Sequence, residues 1–165
     1  MDLLVAAGEY IALHPFLLTA VLALILAIFG YINNQRRQRR TQTLDLMLEF
    51  SRNEHLTRMA RLIDARFLSG ETITNDSLDE QEAEDISTLM VSLEYLAFAY
   101  NTGTVDRNSV DRMLVHRIIK TYWVTRPLIL ERRKAASLYF CEIEAVATRG
   151  SRAQEYKRQF KSAQK

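Results

Sequence analysis

The chain has 165 residues, of which 48% are hydrophobic and 25% are charged, with five glycines, two prolines and one cysteine. This composition excludes collagen-like, disulfide-stapled and wholly disordered proteins. The single cysteine, Cys141, cannot form an internal disulfide, and the Cys and His spacing of zinc sites is absent. The length fits one small domain. Because the apolar residues are unevenly placed along the chain, insertion into a membrane is the first property to consider.

Residues 16–32 form a run of 17 residues without a charged side chain. As a helix this run is roughly 26 Å long, close to the ~30 Å hydrocarbon core of a bilayer. Eleven of its residues are Leu, Ile, Val or Phe, which favour insertion. A cleaved signal peptide would begin with basic residues, whereas Asp2 and Glu9 are the charged residues before this run. We therefore expect an uncleaved transmembrane helix that contacts the lipid bilayer through residues 16–32.

The charges that flank this run predict its orientation. Four arginines follow it directly, whereas no Lys or Arg precedes it; they are Arg36, Arg37, Arg39 and Arg40. The positive-inside rule then places the N-terminus outside and the C-terminus in the cytoplasm, with the arginines at the membrane interface. Residues 41–165 contain 18 basic and 18 acidic side chains, so nucleic acid is not expected as a partner.

From residue 41 onward the apolar residues follow helical spacing, and no segment alternates like a half-buried strand. The sequence therefore predicts an all-α protein: a single N-terminal transmembrane helix followed by a small cytosolic bundle of about four to five helices. The predicted domains are a membrane anchor with its basic segment (1–40), a helical domain (41–150) and a basic C-terminal tail (151–165).

The first two helices after the anchor have recognisable ends. Asn53 is a typical N-cap, and Gly70 is expected to end the helix that follows it. Ser77 and Glu80 have capping-box spacing, so the next helix should begin near Leu78. Its many apolar residues predict a core helix that is buried on most sides.

The later helices are predicted from glycine, proline and capping residues. Gly103 should end the core helix, and Asp106 or Asn108 should start the next one. Pro127 is expected to break or kink that helix, so that a fifth helix begins there. Ser151 and Gln154 have the spacing of a capping box for a short basic tail helix.

Glu94 is the one charged residue between Ile86 and Val105 on the predicted core helix. A buried carboxylate without a partner would be costly, so Glu94 should either reach solvent or pair with an arginine from a later helix. Arg117 and Arg126 are the candidates. The sequence predicts either a buried ion pair or a site that recognises a ligand or partner.

Three segments resemble a known family: Leu44–Phe50, Leu93–Gly103 and Tyr122–Lys134. They are similar to a bacterial and prophage-borne family of small membrane-anchored helical proteins that contain a domain of unknown function. The resemblance implies a helical protein of the bacterial inner membrane. It also implies an accessory or phage-defence role, such as superinfection exclusion. It assigns no catalytic residue.

The usual signatures of enzymes are absent, including phosphate-binding loops, dinucleotide fingerprints, zinc-protease motifs and nucleophile elbows. The three histidines, His14, His55 and His116, lie in different segments, which does not favour a metal site. Cys141 is followed by acidic residues that oppose thiolate formation, so we expect a buried or half-buried small side chain there. No catalytic, cofactor-binding or metal-binding residue is predicted, and the protein is not expected to be an enzyme.

Residues 71–85 contain seven carboxylates and no Lys or Arg, whereas the end of the chain is basic. These opposite charges favour complementary contacts between copies. The sequence favours a membrane-tethered helical interaction module that recruits a protein partner or forms a homo-oligomer. The prophage-type accessory role is the alternative, and a membrane-bound enzyme is the third hypothesis.

Overall fold

The computed structural model describes residues 15–164, with side chains from Thr19 onward except that of Glu49. The described part is helical, with seven α-helices, one short 3-10 turn (Asn75–Ser77) and no strand, so the all-α prediction is confirmed. The predictions for residues 1–14, including their expected position on the outer side of a membrane, fall outside the described residues. The helices are α1 (Pro15–Arg52), α2 (Glu54–Ser69), α3 (Glu80–Thr102), α4 (Arg107–Met113), α5 (Val115–Arg132), α6 (Cys141–Thr148) and α7 (Gly150–Ala163).

The chain divides into two compact units, residues 1–39 and 40–165. In the first unit, every described side chain from Thr19 to Asn34 is exposed. A hydrogen bond from Gln35 Nε2 to Tyr31 Oη at 2.7 Å joins neighbouring turns of α1. Within the described residues, no helix has an apolar segment of the length and hydropathy that membrane crossing requires.

The last three turns of α1 belong to the second unit. Thr43, Met47 and Phe50 recur at helical spacing and are buried there, while the side chains between them are exposed where described. The Thr43 hydroxyl accepts a hydrogen bond from the backbone N–H of Asp106 at 2.9 Å, which ties α1 to the start of α4. The end of α1 is thus a structural element of the helical domain.

Helix α2 begins and ends where its sequence predicts. The Asn53 side chain accepts a hydrogen bond from the Leu56 N–H at 3.1 Å, which caps the first turn. Gly70 ends the helix in the left-handed conformation, at φ 72°. One face of α2 is buried in the core, through Leu56, Met59, Ala60, Ile63 and Phe67.

The start of α3 differs from the prediction by two residues. Asp79 is the N-cap and forms a capping box with Glu82, whereas Ser77 closes the preceding 3-10 turn against Thr74. The acidic side chain of Asp79 fits this position because it accepts the Glu82 N–H at 2.7 Å and lies at the positive end of the helix dipole. Gly103 ends α3 as predicted.

The prediction that Pro127 breaks a helix is wrong. Pro127 lies inside α5, and the interruption occurs instead at Leu114, between α4 and α5. Proline removes one backbone hydrogen bond, but the residues around it, Val124, Leu128 and Ile129, are all buried in the core. Tertiary packing therefore outweighs the local preference of proline and keeps α5 continuous.

The segment after residue 150 is part of the second unit rather than a tail outside the helical domain. Helix α7 buries Ala153 and Phe160, and the ring of Phe160 stacks on Phe67 of α2 at 5.2 Å. The predicted capping box at Ser151 is not formed, because Arg149 is the N-cap and its side chain makes no capping bond. Helix α7 therefore docks on the core through one face, on which Tyr156 also contacts Phe67 at 5.8 Å.

Candidate functional site

Glu94, on α3, holds the first turn of α6. Its Oε1 accepts a hydrogen bond from the Glu142 N–H at 3.0 Å, and its Oε2 accepts one from the Ile143 N–H at 2.9 Å. The thiol of Cys141 lies 3.8 Å from Oε1. A carboxylate at this position satisfies two free helix N–H groups and lies at the positive end of the helix dipole. Glu94 is therefore the N-terminal cap of a helix that is 47 residues away in the chain.

The local sequence explains why α6 needs a cap from another helix. Its N-cap residue, Phe140, has no polar side-chain atom and adopts φ 55°, a left-handed conformation. The Arg133 guanidinium binds the carbonyl of Tyr139 at 2.8 Å and that of Phe140 at 3.2 Å. The turn before α6 is thus held by Arg133 on its carbonyl groups and by Glu94 on its N–H groups.

Neither predicted partner reaches Glu94 within the part of the chain that the structure describes. Arg117 lies over the ring of Phe50, with its guanidinium carbon 5.4 Å from the ring centre. Arg126 lies over the ring of Trp123 at 5.6 Å. The expected ion pair is therefore replaced by backbone capping, because Glu94 points to α6 while the two arginines pack on aromatic rings.

Glu144 forms a second polar link between α6 and α5. Its carboxylate accepts hydrogen bonds from the Tyr122 hydroxyl at 2.8 Å and from Arg133 at 2.6 Å. Burial opposes ionisation of Glu144, but the hydrogen bonds from Arg133 and Tyr122 outweigh it and lower the pKa of its carboxyl group. Burial, followed by the hydrogen bond to Glu144, raises the pKa of the Tyr122 hydroxyl. Glu144 is thus an ionised structural group at neutral pH.

The acidic segment, residues 71–85, is partly neutralised inside the chain. Glu71 pairs with Arg66, and Asp85 pairs with Arg58, both partners being on α2. The hydrogen bond from Arg58 lowers the pKa of the Asp85 carboxyl group, against the opposing effect of burial. Charge complementarity between copies is therefore reduced by these contacts with α2.

In the described part of the chain, the His and Cys side chains do not share a common site. Among the described residues, no group of three or more His, Cys, Asp or Glu side chains is placed to hold a metal ion. Cys141 is exposed, which corrects the expectation of a buried or half-buried side chain. His55 lies 3.5 Å from Asp85 but is itself largely exposed, and His116 is half-buried on α5. Burial, followed by the nearby Lys120 and Arg117, lowers the pKa of His116.

An uncharged stripe runs along the solvent side of α3. It consists of exposed residues spaced alternately by three and four positions, namely Thr88, Val91, Tyr95, Phe98 and Thr102. Tyr95 is 71% exposed and Phe98 is 53% exposed. We call these five residues the α3 stripe. The prediction that α3 is buried on most sides is therefore wrong, because the helix buries one face and leaves the stripe in solvent.

A groove runs beside the α3 stripe, between α3 and the end of α1. Its volume is about 310 Å³. Its lining contains no charged residue and is formed by Leu46, Phe50, Asn53, Leu56, Thr88, Ser92, Tyr95, Leu96 and Leu114. Within the second unit, the stripe and the groove form a continuous uncharged surface that shares Thr88 and Tyr95.

Residues 17–149 match the family model of a domain of unknown function, DUF4760. The chain belongs to the DUF4760 family. No curated protein and no solved structure matches it. The family match is longer than the three similar segments in the sequence, because it extends from α1 through the end of α6.

The structural features of this DUF4760 domain are only partly visible in its sequence. The basic side chains Arg36, Arg37, Arg39 and Arg40 are exposed on α1. Glu94 stands out in the sequence by its isolation, but no sequence signal connects it with residues 142 and 143. The α3 stripe was missed, although its three-and-four spacing is present in the sequence, because the core face of α3 has the same apolar character.

Proposed function

We propose that this DUF4760 protein is a single-pass membrane protein that is anchored through residues 16–32 and presents its helical domain to the cytoplasm as an interaction module. The observation that supports the anchor is the surface of α1. Nine large apolar side chains between Val21 and Ile32 are 45% to 70% exposed. They lie all around the helix, with no charged residue among them.

An exposed apolar helix surface of this kind must be buried in lipid or against protein. A helix that is apolar on all sides is stable when it is buried in a protein core or in lipid. A contiguous exposed apolar surface favours association with a protein or with a membrane. The uncharged run extends back to Phe16 in the sequence, three residues before the described side chains begin. Over its full 17 residues the run is roughly 26 Å long, which fits the hydrocarbon core with little thinning.

The arginines after the run support the proposed orientation. With Arg36, Arg37, Arg39 and Arg40 at the inner interface, residues 41–165 face the cytoplasm. The resemblance to bacterial and prophage-borne proteins favours the bacterial inner membrane. The exposed α3 stripe and its groove support an interaction role for the cytoplasmic domain, because uncharged exposed surface of this kind is typical of binding sites.

Membrane retention tests the anchor. We compare the full chain with the double variant Leu24→Arg/Ile28→Arg, using sodium carbonate extraction of membranes. Each arginine at the centre of a span costs about 2.5 to 3.5 kcal/mol, so two cost about 5 to 7 kcal/mol and cancel the insertion energy of the run. The natural chain should stay in the membrane pellet, and the arginine variant should move to the supernatant.

The matched control is Leu24→Ala/Ile28→Ala, which shortens the same two side chains without adding charge. It should remain in the pellet, because the run keeps its remaining large apolar residues. Release of the natural chain by carbonate, or equal retention of the alanine and arginine variants, would overturn the anchor.

A further inference from the structure

A cavity of about 560 Å³ lies between the end of α3, helices α4, α5 and α6, and the start of α7. The buried part of its lining is apolar and includes Val115, Ile119 and Val146. Sites for small molecules typically have this size and combine an apolar lining with a few polar or charged groups. Every lining residue belongs to the second unit, so the cavity does not depend on the proposed anchor.

The charged side chains of this cavity are mostly basic. Arg107, Arg149 and Arg152 line it together with one carboxylate, that of Asp111. Among the residues that the structure describes, none of the three arginines forms an ion pair. Three positive charges therefore face one negative charge, and the net charge of the lining favours an anion. We call this space the arginine cavity.

Two of the arginines are held in place by backbone carbonyl groups. Arg107 donates from Nε to the carbonyl of Tyr100 at 3.1 Å and from Nη2 to that of Asn101 at 2.9 Å. Arg152 donates from Nη1 to the carbonyl of Asp111. A neutral carbonyl orients a guanidinium group without cancelling its charge, and each guanidinium keeps further N–H donors. Arg107 and Arg152 are therefore oriented and still able to bind an anion.

Arg149 differs from the other two arginines. Its side chain is exposed, and it has no hydrogen bond or ion pair with any residue in the described part of the chain. The N–H donors of its guanidinium group are therefore all available to a ligand. A substitution at this position removes a ligand contact and leaves the contacts within the fold unchanged.

The Tyr100 hydroxyl lies within reach of several charges of the arginine cavity. It donates a hydrogen bond to Asp111 Oδ1 at 2.8 Å. Burial, followed by this hydrogen bond, raises the pKa of Tyr100, whereas the charges of Arg107 and Arg152 oppose the rise. The two arginines thus act on one group from α4 and α7. Asp111 is the lining residue whose charge repels an anion, so its removal should have the opposite effect on binding.

We propose that the arginine cavity binds the phosphate group of a small organic phosphate. A phosphate monoester carries a charge of roughly −1.5 to −2 at neutral pH and has three acceptor oxygens, so several guanidinium groups can bind it together. A carboxylate has a single charge, and one arginine fork satisfies it. Three arginines around one cavity therefore fit a phosphate better than a carboxylate, and the apolar lining contacts the organic part. This ligand site goes beyond the proposed function and does not rest on it.

Isothermal titration calorimetry of the full chain tests the site. The chain is purified in a non-ionic detergent and a phosphate-free buffer, and it is titrated with inorganic phosphate and with glycerol 3-phosphate at constant ionic strength. Both should bind saturably, with a Kd of about 1 mM or less. Arg149→Gln should raise both Kd values by about tenfold or more, because it removes a charge-assisted contact.

Two further variants separate the cavity from the overall charge. Arg158→Gln is the matched control, because Arg158 is exposed on the same helix and is not part of the lining; it should change neither Kd by more than about twofold. Asp111→Asn removes the repelling charge and keeps an acceptor oxygen for the Tyr100 hydroxyl. It should lower the Kd of inorganic phosphate by about threefold or more. Thermal melting followed by circular dichroism should show that each variant is folded at the titration temperature.

The outcomes decide both the site and the source of its phosphate. Absence of saturable binding of both anions up to about 10 mM would overturn the proposal. Equal weakening by Arg149→Gln and Arg158→Gln would also overturn it, because it would show attraction to the overall charge alone. Phosphatidic acid is then added to the micelles, with phosphatidylcholine as its control. Competition with glycerol 3-phosphate by phosphatidic acid alone supports a lipid headgroup as the ligand, and unchanged binding supports a soluble phosphate.

Discussion

The Glu94 carboxylate accepts the backbone N–H of Ile143 at 2.9 Å, and so one side chain of α3 fixes where α6 begins. A second hydrogen bond, from Glu142 N–H at 3.0 Å, completes the cap. Asn101, two turns further along α3, donates to the Glu142 side chain at 2.5 Å. Helices α3 and α6 are therefore joined by polar contacts from two positions on α3, Glu94 and Asn101.

Removal of this cap should destabilise the helical domain. Glu94→Ala leaves two helix N–H groups without their acceptor, and we expect a loss of about 2 kcal/mol in the free energy of unfolding. Glu94→Gln keeps one amide oxygen as an acceptor and should lose about half as much. Urea unfolding followed by circular dichroism measures both values.

Glu131→Ala is the control for the Glu94 variants, because Glu131 is an exposed carboxylate at the end of α5. Its removal should change the stability by less than about 0.5 kcal/mol. If Glu94→Ala is as stable as this control, Glu94 is not a structural cap, and its carboxylate would then be free to contact a partner.

Two glycines that end helices provide a direct test of packing at α7. Gly70 and Gly103 share a φ of 72°. A Cβ atom at Gly70 would lie 2.6 Å from the backbone carbonyl carbon of Ala163. A Cβ atom at Gly103 would meet only the Arg107 side chain, at 4.0 Å. Gly103→Ala should cost about 1 to 2 kcal/mol through the left-handed backbone. Gly70→Ala should cost about 2 to 4 kcal/mol, because it adds a backbone clash to the same strain.

Thermal melting of the two glycine variants measures this difference. Deletion of residues 161–165 removes the clash, so the truncated Gly70→Ala protein should regain part of its stability relative to the truncated parent. Equal destabilisation by Gly70→Ala and Gly103→Ala would contradict the docking of the end of α7 against α2.

The pH dependence of stability should report on Glu144. Its folded-state pKa lies below the ordinary value of 4.5, so the unfolded chain binds more protons than the folded chain at acid pH. The stabilisation is complete above the ordinary pKa and is lost as the pH falls through the lower folded-state value. We expect the melting temperature to fall below about pH 4.5, with a smaller fall in Glu144→Gln.

Arg133→Met is the companion variant for this measurement, because it removes the hydrogen-bond donor that most lowers the pKa of Glu144. Like Glu144→Gln, it should reduce the fall in melting temperature at acid pH. Lys134→Met, at an exposed neighbouring position, should not reduce it. If the natural chain and Glu144→Gln show the same acid transition, protonation of Glu144 is not its cause.

Local signals in the sequence predicted three helix ends correctly. Asn53, Gly70 and Gly103 act through their own backbone or their nearest turn, so their roles can be read from a few neighbouring residues. Pro127 failed as a signal because buried neighbours in α5 override its local preference. The cap formed by Glu94 depends on a contact between distant helices, and no local pattern contains that information.

The last prediction concerns the proposed orientation of the anchor. In a bacterial host, a phosphatase that is active only after export, fused after Lys165, should be inactive, because the four arginines after the run hold the C-terminus in the cytoplasm. Changing Arg36, Arg37, Arg39 and Arg40 to Gln, together with Ala6→Arg, Ala7→Arg, Ala12→Arg and Leu13→Arg, should reverse the bias and activate the fused enzyme. The arginine-to-glutamine changes alone are the control and should give mixed orientations. Full phosphatase activity in the natural chain would contradict the assignment of the cytoplasmic side, while carbonate retention would still report on the anchor.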